Sequence, residues 1–175
     1  TALCIRTRHP PYCPYKNRLC ITWYSHSTQL WGGYFYHSIQ KFMCFVALHR
    51  QKGSLYIISN RDENISRKVA KPPAIVSIAP YEAVMPLDGE AGGTWVAVRN
   101  DGVTAVLFNG ALRAHQKTDQ HTQSRGFIIP RLLRYAQPID FLTYVDLQHT
   151  EPFSLLLAIH AAAWLYRWDG ITLSE

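Results

Sequence analysis

Apolar positions in this chain fall into short runs separated by polar turns, with no long helical stripe. Phe45-Val46-Ala47-Leu48 and Leu55-Tyr56-Ile57-Ile58 are apolar without alternation and flank the turn Gln51-Lys52-Gly53. Runs of this kind predict short strands buried on both faces, inside a layered structure. Residues 60–73 are polar and end in Pro72-Pro73, which predicts a loop. Thr94-Trp95-Val96-Ala97-Val98 and Val103-Thr104-Ala105-Val106-Leu107-Phe108 predict two more strands. The Asp101-Gly102 pair between them marks a tight hairpin. After a polar loop over 110–123, Ser124 is placed to cap a helix near 126–135, with Pro130 tolerated only in its first turn. A second short helix is expected over 140–147. Strands are expected over 153–159 and 164–168, then an Asp169-Gly170 turn and the opening of another strand at Ile171-Thr172-Leu173.

The first 42 residues break this pattern. Nine of them are aromatic, yet no period of 2 or 3.6 is sustained, and Pro10, Pro11, Pro14 and Gly32-Gly33 interrupt the stretch. They hold five Lys/Arg and no Asp or Glu, whereas residues 43–175 hold thirteen basic and twelve acidic residues. The net charge of +6 therefore belongs almost wholly to the leading segment. The remainder has no single-sign field for phosphate, so a nucleic-acid partner is not expected. Cys4, Cys13 and Cys20 also lie in the leading segment; with His26 they lack the paired spacing of a structural zinc site. Two units follow. Residues 1–42 are read as an N-terminal extension, disordered or translated ahead of the true start, and 43–175 as the domain, with Met43 its natural initiator.

No run of about 18 apolar residues is present, so no integral membrane segment is expected. Cys44 is the sole cysteine of the domain, which fits a reducing, cytoplasmic location. His49, His115, His121, His149 and His160 make no H-x-x-x-H or H-E-x-x-H pair, so no metal is expected. One of them could serve haem as an axial ligand, although nothing local selects it.

Candidate chemistry sits at the ends of the strands. Met43-Cys44 opens the first and Ser59-Asn60-Arg61-Asp62-Glu63 follows the second. Glu90-Ala91-Gly92-Gly93-Thr94-Trp95 leads into the third, Asn109-Gly110 closes the fourth, and Ser124-Arg125-Gly126 precedes the helix. A hairpin returns its second strand beside its first, so residues near Arg61 are expected close to Cys44. The adjacent glycines Gly92 and Gly93 are expected to be architectural, serving positive φ or close backbone approach. This series of motifs, in this order, resembles the NRDE family, named for its Asn-Arg-Asp-Glu tetrapeptide and including the transport and Golgi organisation 2 proteins. The tail Glu151-Pro152-Phe153-Ser154-Leu155 and Tyr166-Arg167-Trp168-Asp169-Gly170 looks like the bacterial branch.

The resemblance covers residues 43–175 and implies an α+β fold, the four-layer αββα sandwich of N-terminal-nucleophile hydrolases, incomplete at its C-terminus. It implies an amidohydrolase acting on a small amide without a required cofactor. Cys44 would be the nucleophile and its α-amine the base, which has a suitable pKa near about 8. Arg61 would favour the thiolate, Asp62 would hold the α-amine and Asn109 would donate to an oxyanion. Asn60 and Arg125 would meet the substrate. Each residue keeps a plainer reading. Cys44 suits a buried strand position, Arg61 and Asp62 a structural bridge, Asn109 an ordinary turn, and Arg125 a solvated position at the start of a helix. The family also implies a non-enzymatic alternative, a carrier of haem or of a lipid metabolite. In either case the partner is a small molecule, and no pattern in the sequence sets an oligomeric state.

Overall fold

The computed structural model describes residues 2–8, 20–24, 45–51, 54–61, 66–111, 113, 115–160 and 162–175. Strands β1 (Ala2–Arg8), β2 (Cys20–Tyr24), β3 (Phe45–Gln51) and β4 (Ser54–Asn60) form one antiparallel sheet in the order β2-β1-β4-β3. Strands β5 (Lys71–Ile78), β6 (Tyr81–Leu87), β7 (Val96–Arg99), β8 (Thr104–Asn109), β9 (Phe153–Ile159), β10 (Ala162–Trp168) and β11 (Leu173–Ser174) form a second, seven-stranded sheet. It is an antiparallel meander that follows the order of the chain. Between β8 and β9 the chain leaves the sheet to form a 3₁₀ turn at Arg125–Phe127, helix α1 (Ile128–Leu132) and helix α2 (Pro138–Tyr144). No helix among the described residues is long and apolar enough to cross a membrane.

The seven-stranded sheet is apolar on both faces, and each face has its own core. Along β7, Ala97 points to one side and Val96 and Val98 to the other; along β8, Ala105 and Leu107 oppose Val106. Leu155 and Leu157 of β9 join Ala97, Ala105 and Leu107 in a cluster with Ile129, Leu132, Leu133 and Phe141 of the helical excursion. On the opposite face Val96, Val98, Val106 and Ala158 pack with Leu55 and Ile57 of β4. The described residues thus form a sheet, a second sheet and a helical layer, an α+β arrangement dominated by antiparallel strands. Period-2 alternation explains why the middles of these strands are apolar without alternation: both sets of side chains leave water.

The first hairpin is less buried than its sequence implied. β4 buries Leu55, Ile57 and Ser59, but Ile58 is exposed. Phe45 and Leu48 of β3 are also exposed. β3 has a neighbour on one side only, and its outward face meets no cover among the described residues. Of the segment 1–42, read from the sequence as an extension of the domain, residues 2–8 and 20–24 form β1 and β2; its other residues lie outside those described. β1 pairs with β4 from Ala2↔Asn60 to Arg8↔Ser54. Lys52 and Gly53 of the expected turn are likewise outside the described set.

The β5–β6 hairpin was not legible. The expected loop over 60–73 gives way to a strand at Lys71, although Pro72 and Pro73 cannot donate to a ladder. β5 tolerates them because it is the edge strand, with its register irregular between Lys71 and Ala74. Both helices are also displaced from expectation. Ser124 does accept from the Gly126 N–H, but the turn it caps is 3₁₀ and α1 stops at Leu132. α2 begins at Pro138, where proline's fixed φ suits a first turn, and ends at Tyr144.

Arg99 accounts for the early stop of α1. Its side chain is nearly inaccessible, and it lies with Cζ 4.0 Å from the centroid of the Tyr81 ring. Nη1 donates to the carbonyls of Leu133 (3.0 Å) and Tyr135, just beyond α1, while Nε and Nη2 bind Asp101 at 2.9 and 2.8 Å. One guanidinium therefore satisfies helix-end carbonyls and clamps the β7–β8 turn, where Gly102 takes a φ of +93°. Arg99→Met would leave these carbonyls without donors. It is expected to lower stability by about 2–3 kcal/mol, a discounted value because Asp101 remains partly solvated. Arg99→Lys should recover only part of the loss, since an ammonium cannot fork. Urea midpoints of the three proteins test this, and an unchanged midpoint for Arg99→Met contradicts the assignment.

Candidate functional site

The C-terminal ends of β4 and β8 open into a cavity of about 360 Å³, within the usual range for small-molecule sites. Ser59, Asn60 and Arg61 enter from the first sheet. Leu107, Phe108 and Asn109 enter from the second, with Trp95 beneath and the 121–126 segment as the far wall. Side chains at strand ends are held by ladders yet free of them beyond the last pair, which suits a site needing placed polar groups.

Two glycines make the cavity wall possible. A Cβ on Gly93 would lie 2.7 Å from Cα and C of Gly126, and a Cβ on Gly126 would lie 3.0 Å from Cα of Gly93. The two backbones touch directly, and Thr94 N–H donates to Gly126 O at 2.9 Å. The preceding Gly92 has a φ of +70°. The paired glycines thus do both things expected of them, Gly92 supplying positive φ and Gly93 close approach.

Asp88, just after β6, is the polar centre of the cavity. It is 8% exposed and was missed by sequence reasoning. Its Oδ1 accepts from Glu90 N–H (3.0 Å) and Ala91 N–H (2.7 Å), which closes the turn after β6. Its Oδ2 pairs with Nη2 of Arg61, and Nη2 of Arg67 reaches Oδ1 and Oδ2 at 3.1 and 3.2 Å. Burial alone would raise the Asp88 pKa. The two backbone donors, the Arg61 charge and the Arg67 hydrogen bond outweigh it and hold the carboxyl below the usual range. Arg61 also lies over Trp95, with Cζ 4.6 Å from the ring centroid. The only hint of Asp88 in the sequence is the Asp-Gly pair Asp88-Gly89, which reads as a turn and nothing more.

The opposite wall is organised by Glu151. Its Oε1 lies 3.3 Å from Nε2 of His115 and its Oε2 lies 3.4 Å from Nη2 of Arg125, while Arg125 Nη1 donates to Pro152 O at 3.0 Å. His121 accepts at Nδ1 from Thr118 N–H at 3.0 Å. Arg125 is thereby held in the wall rather than solvated. Asn109 is the last residue of β8, paired with Phe153 of β9. Gly110 follows with φ +83° and donates to Pro152 O.

Of the residues singled out in the sequence, Asn60, Arg61, Asn109 and Arg125 line this one cavity. Cys44 and Asp62 lie outside the described residues. Phe45, which follows Cys44 in the chain, is the ladder partner of Asn60. Arg61 pairs with Asp88 from 27 positions away, a partner that no local motif suggests. Among the described residues no group of three or more His, Cys, Asp or Glu is placed to hold a metal ion.

A family model described as Transport and Golgi organisation 2 matches residues 43–166, more than half of the chain. No curated protein matches the chain.

The Asp88 cluster carries a pH dependence. Its carboxyl titrates lower in the folded protein than in the unfolded chain, so the stability it contributes is present above about pH 4 and is lost as pH falls through the folded-state value. Asp88→Asn should melt lower at pH 7 and lose less on acidification to pH 3 than the parent. Parallel acid-dependence curves for the two proteins would exclude Asp88 as a titrating clasp. Gly93→Ala should also unfold more readily, because the added carbon meets backbone and not a side chain that could turn away. Thermal melts measure both.

Proposed function

We infer that this chain, which belongs to the transport and Golgi organisation 2 family, is an amidohydrolase that uses Cys44 as an N-terminal nucleophile on a small amide. One observation carries this reading: Arg61, directly after β4, and Asn109, at the end of β8, line the same cavity. The β3–β4 register supports it further, because Cys44 precedes Phe45 and Phe45 faces Asn60 across the ladder. The same reading extends the observed sheets and helical layer to the four-layer αββα sandwich. Residues 43–175 are its domain, and the single cysteine there suits reaction in the cytoplasm.

The chemistry is that of a two-step acyl transfer. The Cys44 α-amine accepts the thiol proton and the sulfur attacks the amide carbon. Asn109 donates to the oxygen on which negative charge develops. The C–N bond then breaks, the leaving amine takes the proton back from the α-ammonium, and water hydrolyses the thioester. Asp62 orients the α-amine through a charge-assisted hydrogen bond, and Asn60 and Arg125 contact the substrate. No cofactor takes part. Arg61 favours the thiolate, with its field reduced by Asp88 at its side. The polar groups of the lining support a small polar amide over a macrocycle such as haem.

Protein beginning at Cys44 is expected to react with iodoacetamide at neutral pH faster than a small-molecule thiol. One unit of thiol pKa changes the thiolate fraction about tenfold and its nucleophilicity about threefold in the opposite sense. Arg61→Ala should therefore slow alkylation about threefold. Intact mass against time, over a range of pH, reads the rate. A Cys44 that stays inert until the protein unfolds is a core cysteine, and the hydrolase reading then fails. A saturable haem Soret shift that needs a histidine but survives Cys44→Ala would favour the carrier instead.

A further inference from the structure

The polar groups of the cavity are unevenly satisfied. Among the described residues, the two carboxylates that line it, Asp88 and Glu151, are already used by the protein. Asp88 holds Arg61, Arg67 and two backbone N–H groups, and Glu151 holds Arg125 and His115. The donors are not matched in the same way. The indole Nε1 of Trp95 is buried, in a residue only 8% exposed, and has no acceptor among the described residues. Lys117 lines the cavity without an ion-pair partner among them. His121 accepts at Nδ1 from Thr118 N–H, so its neutral ring carries the proton on Nε2 as a further donor. A buried donor without an acceptor is unfavourable, and a ligand acceptor removes that cost.

We propose that the ligand of this cavity is a small monoanion, an amide that also carries a carboxylate, and that Lys117 of the cavity lining selects for that charge. The class rests on the hydrolase reading for its amide and on the donor surplus for its carboxylate. Among the described residues, one ammonium without an ion-pair partner, beside the Trp95 and His121 donors, matches a single negative charge. A dianion would need a second free cation, whereas Arg61, Arg67 and Arg125 are each committed to a carboxylate. The volume of about 360 Å³ suits a ligand of amino-acid size. Lys117 is exposed, so its replacement disturbs no core.

The test is calorimetric titration of the full chain carrying Cys44→Ala, which blocks turnover. The probes are N-acetylphenylalanine and its neutral carboxamide, at low and at moderate salt. The carboxylate should bind about tenfold more tightly than the carboxamide, the scale of one charge-assisted hydrogen bond. The preference should shrink as salt is raised. Lys117→Gln should remove the preference and Lys117→Arg should restore most of it. Equal binding of the two probes, or no binding of either, overturns the proposal. A preference unchanged by Lys117→Gln overturns the role of Lys117. Carboxylate-selective binding to a protein whose Cys44 resists alkylation sinks the hydrolase reading, and with it the amide, and leaves the carboxylate selection by Lys117 standing.

Discussion

A single buried carboxylate joins the two sheets where the cavity opens. Arg61 directly follows β4 of the first sheet and Asp88 directly follows β6 of the second, and their ion pair spans the gap between them. The pairing is stable because Asp88 is satisfied on every side, by two backbone N–H groups from its own turn and by two guanidinium groups. A carboxylate buried with fewer partners would cost more than its Coulomb attraction returns. The same clasp holds Arg61 over Trp95, so the cation that faces the cavity rests on an aromatic ring and not on solvent. The placement of the polar groups thus follows from the need to pair charge wherever the sheets meet.

The sheet that carries the site is itself a consequence of double burial. β7 and β8 put valines against the first sheet and alanines and Leu107 against the helices, so neither face can be exposed without losing a core. The helical layer is then anchored by two contacts of different kinds. Arg99 binds the carbonyls beyond α1, and Gly93 and Gly126 bring two backbones together. The second contact presses the 121–126 segment against the loop before β7 and gives the cavity its far wall. Architecture and site share residues here, and this is why glycines stand among the site motifs.

The site was partly legible for a physical reason. Asn60, Arg61, Asn109 and Arg125 occupy short motifs at the ends of apolar runs, and strand ends are where a sheet can present polar side chains. Asp88, Trp95 and Glu151 stand in segments that read as a turn, the start of a strand and a loop. Their roles depend on partners far away in the chain, as in Arg61 with Asp88 or Arg125 with Glu151, and no local spacing encodes such pairs. Adjacency suggested Asp62 as a partner of Arg61, and Asp62 lies outside the described residues; Asp88 is a partner that only the fold reveals.

Local pattern by itself determined the strands β7, β8 and β9, the hairpin at Asp101-Gly102, the turn at Asp169-Gly170 and the need for glycine at 92 and 93. Each of these follows from side-chain period or backbone freedom within a few residues. Tertiary structure decided what local pattern leaves open. Pro72 and Pro73 could join a strand because β5 lies at an edge. Phe45 and Ile58 stay exposed because the outward face of their sheet meets no cover among the described residues. α1 ends early where Arg99, reaching in from β7, binds the carbonyls just beyond it. Apolar sequence states that a residue can be buried, but only the layers packed around it decide on which side, and whether, burial occurs.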